Sequence, residues 1–347
     1  MVRVHFLTLT AGLPLPDPPS KHSAQGIVKL YRFVVALYPE VKHPENILQF
    51  LIMKRYYTTT ILLAALILGS CRNQSITSEG ERIITVSTLP QKTIITKISG
   101  DKFSVNVLIP EEGNHETYEP TSRQMAETGK SIAYFKLGHL DFEINWLGKL
   151  AQNYPGMKIY DTSEDLDLIR GAEVLHGDHV HPGGVDPHIW LSVPAVKIQA
   201  GNMLKGLIEL DPENAAYFTA NYDHFIVELD SLDMQIRQII QASGVREFMI
   251  YHPSLGYFAR DYNLEQIAIE QEGKEPSPRY MSKLITIARE KQIRAIFVSS
   301  QFNKQSALTL AEQLNARVEE FNPVDADWMD NMLDIAGKIA ASNRQMP

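Results

Sequence analysis

One long helical pattern, with a series of strand-like and helix-like segments on either side, restricts the fold of this chain most. Apolar residues recur at Phe218, Tyr222, Phe225, Leu229, Leu232, Ile236 and Ile239, in alternating steps of four and three. That spacing keeps them on one face of an α-helix. Asp211 supplies an N-cap, Pro212 fits the first turn, and Ser243-Gly244 makes a C-terminal stop. A helix of roughly 30 residues runs about 45 Å, longer than one small lobe needs. A surface helix or a dimerising coiled coil would carry the same stripe. The position between two similar series favours a spine that joins them.

The first series has β-branched runs at 83–86, 103–109, 132–137 and 158–160, with helical segments at 90–99, 121–130 and 141–152 between them. The second has runs at 248–251, 266–269, 295–298 and 317–321, with helices at 254–262, 278–291, 304–315 and 327–342. Alternation of this kind implies a βα lobe with a mostly parallel sheet. The expected class is therefore α/β: two βα lobes, at 81–210 and 244–347, joined by a long rigid spine helix at 211–243.

The N-terminal part reads differently. Lys54 and Arg55 precede the apolar run 61–68, and Gly69-Ser70-Cys71 follows. This is the charged region, short apolar region and small-residue cleavage site of a secretory signal, too short to span a bilayer. It resembles a bacterial lipobox, in which Cys71 is acylated and becomes the mature N-terminus. Met53 is then the expected initiator, 1–52 an upstream extension without a fold, 53–70 the signal and 71–80 a polar tether. Such a protein works outside the cytoplasm, in the periplasm or at the cell surface, attached to a membrane by lipid while its body stays soluble.

Residues 1–70 hold 7 of the 33 basic and 3 of the 41 acidic residues, so the remainder carries 26 and 38, a formal charge of -12. An acidic body of this kind repels nucleic acid, and none is expected as a partner.

Chemistry concentrates in the histidines. His176, His179, His181 and His188 fall within thirteen residues of a chain whose one cysteine is Cys71. A metal here must be held by imidazole and oxygen. Ligands of open α/β sheets bind beyond the carboxyl ends of strands, and three histidines occupy such places. His115 follows the strand ending at Ile109, His188 precedes the helix opened by Ser192, and His252 follows the strand ending at Tyr251. The first two belong to one lobe and the third to the other, so a site made from them lies in a cleft. Three neutral imidazoles with one further position suit Zn2+, whereas harder ions such as Mn2+ prefer more oxygen. Imidazoles protonate near pH 6.5, so such a site weakens in acid. His139 and His224 read as structural or solvated. Tyr118, Glu119 and Asp186 are placed to hydrogen-bond to ligating imidazoles.

The stretches Gly113-Asn114-His115-Glu116-Thr117-Tyr118-Glu119-Pro120, Asp186-Pro187-His188-Ile189-Trp190-Leu191, Asp211-Pro212-Glu213-Asn214, His252-Pro253-Ser254-Leu255-Gly256-Tyr257-Phe258 and Glu275-Pro276-Ser277-Pro278 together resemble one family over 83–342. It is the metal-binding solute-binding proteins of bacterial ABC importers, most similar to the zinc-uptake (ZnuA-like) branch. The resemblance implies metal bound between two lobes joined by a rigid helix, with His115, His188 and His252 as ligands, Zn2+ as cargo and Mn2+ as the alternative. It also implies an ABC permease and its ATPase as partners. Manganese-type members carry a carboxylate where His252 stands. The family often has an aspartate after the last strand, where this chain has Asn322, so the fourth position falls to water or to another oxygen. Asn322 and Asp325 are the candidates for completing or orienting it, with Glu116 in reserve. The histidine-rich insertion, His176, His179 and His181, is then an accessory metal-collecting loop rather than a source of primary ligands.

Two rival classes share features with this reading. Three histidines and an open position also describe a hydrolytic zinc, but no His-Glu-x-x-His motif occurs. A surface adhesin on the same fold would leave the metal incidental. The expectation is a receptor and not an enzyme.

Overall fold

The computed structural model describes residues 82–342, apart from 172–173, 177–178, 182–183, 271–274 and 303, together with Arg32 and Ala36. The expected signal segment, tether and acylated Cys71 lie outside the described residues. Arg82 to Ser342 belong to one compact unit, and among the described residues no helix is long and apolar enough to cross a membrane.

The first lobe runs β1 (Ile83–Val86), α1 (Leu89–Ser99), β2 (Ser104–Val107), α2 (Ser122–Thr128), β3 (Ala133–Lys136), α3 (Asp141–Asn153) and β4 (Lys158–Asp161). A hairpin of β5 (Val174–His176) and β6 (His179–His181) follows, then a 3-10 turn at Ile189–Leu191 and α4 (Val193–Leu210). The long helix is α5 (Ala215–Ser243). The second lobe contains β7 (Glu247–Ile250), α6 (Gly256–Asp261), β8 (Glu265–Ala268), α7 (Pro278–Glu290), β9 (Ala295–Ser299), α8 (Gln305–Leu314), β10 (Arg317–Phe321) and α9 (Trp328–Ala341).

Both four-stranded sheets are parallel throughout, in the orders β2-β1-β3-β4 and β8-β7-β9-β10. The two lobes thus share one doubly wound topology. In each, the strand order reverses beside the first strand, and loops leaving the carboxyl ends there open a crevice.

Helix α5 spans about 44 Å at 1.5 Å per residue. It buries Phe218, Phe225, Leu229, Leu232, Ile236 and Ile240. The stripe therefore ends on Ile240, one residue beyond the expected Ile239, which is only partly buried. Asp211 does not cap α5. A 3-10 turn at Pro212–Asn214 intervenes, and the Asp211 carboxylate accepts instead from Arg82 Nη1 at 2.6 Å and Asn214 Nδ2 at 2.8 Å. At the other end Gly244 takes φ +70°, the left-handed conformation of a C-terminal stop.

One hydrophobic core crosses the whole unit, from Ile84, Phe135 and Trp190 through α5 to Phe248, Phe297 and Trp328. A second cluster, around Met249, Ile296 and Leu310, covers the other face of the second sheet. The lobes therefore share an apolar interior, and the cleft loops stand on a common scaffold.

Candidate metal centre

The three histidines singled out by sequence stand at the carboxyl ends of the sheets, with His188 in contact with both of the others. His115 lies in the stretch between β2 and α2, His188 directly before the 3-10 turn, and His252 two residues past β7. All are buried, at 0, 2 and 6 % exposure. His115 Nε2 is 2.9 Å from His188 Nε2, and the His188 and His252 rings lie 5.3 Å apart between centroids. Glu116, beside His115, reaches both others: its Oε1 is 3.0 Å from His252 Nε2 and 3.8 Å from His188 Nε2. Among the described residues the compact trio able to share one ion is Glu116, His188 and His252, with donor atoms within 4.8 Å of one another. His115 joins it through His188.

Each imidazole is oriented from behind, through Nδ1. His188 Nδ1 donates to Asp186 Oδ1 at 2.7 Å, and the same oxygen accepts from the His188 backbone N–H at 2.9 Å. His252 Nδ1 faces Glu270 at 3.3 and 3.4 Å. His115 Nδ1 meets Gln301 Oε1 at 3.0 Å. With Nδ1 engaged in this way, Nε2 is the nitrogen each ring has left to offer a metal. His252, Glu270 and Gln301 share one placement: each stands two residues beyond the last residue of its strand, β7, β8 or β9. Those strands are neighbours in the order β8-β7-β9.

Packing holds the rings as well. Phe302 stacks on His252 at 4.4 Å and 10°, and Trp190 meets His115 edge-on at 5.3 Å. Trp190 Nε1 donates to Pro323 O at 2.6 Å, while its own carbonyl accepts from Trp328 Nε1 at 2.8 Å. These bonds lash the turn carrying His188 to the second lobe. Asp186 is positioned by Tyr257, whose hydroxyl donates to Asp186 O at 2.9 Å. A Cβ at Gly256 would come within 2.7 Å of Asp186 Oδ2, so a larger residue there would push on the carboxylate that orients His188.

The electrostatics suit a cation. Burial, then the neighbouring His188, pushes His115 down to about 3, which keeps it neutral. Burial lowers His252 too, but the carboxylates of Glu116 and Glu270 outweigh it and raise the imidazole to about 9. Burial raises Glu116, and the facing imidazoles, His252 foremost, bring it below the ordinary carboxylate range. Without metal, the charge between Glu116 and Glu270 is met by a proton on His252. A divalent ion would displace that proton. His252 Nε2 is buried without an aligned hydrogen-bond partner, which fits a nitrogen whose partner is an ion. A cavity of about 380 Å3, lined by Glu116, Arg170, Asp186, His188, His252 and Pro253 among others, opens beside the group.

Other sequence candidates fall elsewhere. Asn322 Oδ1 accepts from the Val324 N–H at 3.1 Å, and Asp325 Oδ1 from the Asp327 N–H at 2.9 Å. Both side chains stabilise the turn after β10, and Asp325 is in no metal-capable group among the described residues. Tyr118 accepts from Gln124 Nε2 at 2.7 Å, and Glu119 is exposed. His139 Nε2 lies 3.3 Å from Ser163 Oγ, and His224 is exposed. In the β5–β6 hairpin the register pairs His176 with His179 and Val174 with His181. Its base is closed by an Arg170–Val185 bridge, next to the cleft cavity.

Glu270 and Gln301 were not legible beforehand as part of the site. An acid and an amide have many uses, and only the shared two-residue offset past a strand end could have singled them out.

Comparison with known proteins agrees with the fold. The sequence model of the family described as "Zinc-uptake complex component A periplasmic" matches residues 84–342. A Bacillus subtilis relative, "High-affinity zinc uptake system protein ZnuA", is 27 % identical over 274 residues, covering 75 % of this chain and 85 % of its own. "Manganese ABC transporter substrate-binding lipoprotein scaA" of Streptococcus gordonii is 30 % identical over 275 residues, covering 75 % and 86 %. Among solved structures, a zinc-bound deletion mutant of ZnuA superposes with a TM-score of 0.70 at 40 % identity, over 76 % of this chain and 99 % of that one.

Proposed function

The chain belongs to the zinc-uptake complex component A family, metal-binding substrate-binding proteins of ABC transporters and not enzymes, and on that premise we propose that it captures Zn2+ in the cleft outside the cytoplasm and hands it to an ABC permease driven by its ATPase. His115, His188 and His252 supply three imidazole nitrogens, and Glu116 supplies the fourth donor. The observation that supports this reading is the buried trio of Glu116, His188 and His252, drawn from both lobes with donor atoms within 4.8 Å of one another, and His115 Nε2 lying 2.9 Å from His188 Nε2. Glu116 takes the place first considered for Asn322 or Asp325, because those side chains are engaged by their own turn.

A bare Zn2+ at about 2.0–2.1 Å from each nitrogen would set donor separations of about 3.3 Å in a tetrahedral site, a few tenths of an ångström from the His115–His188 distance, while His115, which lies outside the 4.8 Å trio, would have to close further on the other donors. The single carboxylate keeps a second reading open within the family, a manganese receptor, which the Streptococcus gordonii relative supports. Three nitrogens against one oxygen favour the softer zinc. Lipid attachment at Cys71 and accessory collection by His176, His179 and His181 belong to the same proposal.

Competitive titration of the chain from residue 72 onward with Zn2+ and Mn2+ tests it. One tight zinc site is expected, lost in His115→Ala, His188→Ala and His252→Ala. Tight zinc binding retained by all three variants would reject the ligand set, and preference for Mn2+ would favour the second reading.

A further inference from the structure

The three acceptors behind the imidazoles differ in charge. His188 and His252 are backed by carboxylates, Asp186 and Glu270, whereas His115 is backed by the neutral amide of Gln301. The amide cannot turn over. Gln301 Nε2 donates to Glu111 O at 3.1 Å, and a backbone carbonyl only accepts, so Oε1 is the atom left for His115. His115 therefore carries its proton on Nδ1 and presents an unprotonated Nε2 to the centre.

A carboxylate behind a ligating imidazole strengthens it as a donor, and a neutral amide does so less. His115 is also the ligand with the least regular support. It stands in residues 108–121, which contain no strand or helix, while His188 abuts a 3-10 turn and α4, and His252 lies two residues past β7. Gln301 reaches it from the second lobe and holds two points of that stretch, Glu111 O and His115 Nδ1.

Building on the ligand set proposed above, we infer that Gln301 is a positioning residue that makes His115 the weakest of the three donors and so sets how fast the ion leaves. Its contacts span the cleft, so the first ligand to let go is also the one tied to the opposite lobe. The neutral amide trades affinity for release, which a receptor that must surrender its cargo requires.

Zinc dissociation into excess chelator, followed by stopped flow on the parent, Gln301→Glu and Gln301→Leu, tests the inference. A carboxylate behind His115 should slow release about tenfold or more, and leucine should speed it by a similar factor, within the about 10–100-fold range of outer-partner changes. General loss of structure would move both variants the same way. To separate an effect through His115 from the bare charge, Gln301→Glu is repeated in a His115→Ala background, with residual zinc affinity measured by titration. There it should change affinity by less than about twofold. Release from Gln301→Glu as fast as from the parent, or an undiminished effect without His115, would overturn the inference. Tight zinc binding by His188→Ala would instead overturn the underlying ligand set.

Discussion

Nε2 of His115 and Nε2 of His188 face each other at 2.9 Å while both rings engage their Nδ1 atoms elsewhere. With Nδ1 of each ring engaged, Nε2 is the nitrogen each turns toward the other. Such a pair is held together by a proton shared as an N–H···N bond or by a cation between the two nitrogens. Glu116 at 3.8 Å from His188 adds negative charge to the same spot. A divalent cation taking the place of that proton would accept both nitrogens and the Glu116 oxygen.

Asp186 should matter to metal affinity well beyond its effect on folding. Its carboxylate orients His188 through two bonds from the same residue. Asp186→Asn is expected to weaken zinc binding about 10–100-fold, with the urea midpoint of the metal-free protein nearly unchanged. Calorimetric titration beside a denaturation curve measures both. Unchanged affinity would remove Asp186 from the account.

Glu116 should govern selectivity more than zinc affinity alone. Removing its negative oxygen in Glu116→Gln leaves a set of nitrogens, and hard ions depend more on carboxylate. The ratio of Mn2+ to Zn2+ dissociation constants should rise by at least about tenfold. An equal loss for both ions would mean that Glu116 contributes charge but no bond.

Stability should fall with rising pH across one window because of Glu143. This residue is buried, and burial raises its carboxyl to about 7 even though Ser87 Oγ and the backbone N–H groups of Leu137 and Gly138 donate to it. Below pH 4.5 folded and unfolded chains both hold the proton. Between 4.5 and about 7 the unfolded chain releases it while the folded chain keeps it, so stability declines, by on the order of 3 kcal/mol in all, and levels off above 7. The difference in urea midpoint between the metal-free parent and Glu143→Gln should follow this course, because the contributions of His115 and His252 are common to both. An identical pH profile in the variant would contradict it.

The architecture was largely legible because periodicity carries it. The eight strands of the two sheets and the long helix come from alternation of β-branched runs with amphipathic stretches, and the observed ends differ by a few residues. The histidines were legible as a set because each follows a strand or precedes a helix at the cleft end. What sequence order could not give is which side chains meet across lobes. Gln301 touches His115 across 186 positions, and no local pattern announces it. Asn322 illustrates the converse. Its place after a strand end suggested a role at the metal, yet its side chain closes its own turn, as asparagine often does. The start of α5 was misread for a related reason: Asp211 has the chemistry of an N-cap, but Arg82 and Asn214 take its carboxylate.

Anomalous diffraction at the zinc edge, from crystals of the protein grown with one equivalent of Zn2+, tests the central claim most directly. The account expects one strong peak about 2.0–2.1 Å from Nε2 of His115, His188 and His252 and at similar distance from Glu116 Oε1. A peak outside the cleft, or one bonded to fewer than two of these imidazoles, would contradict it.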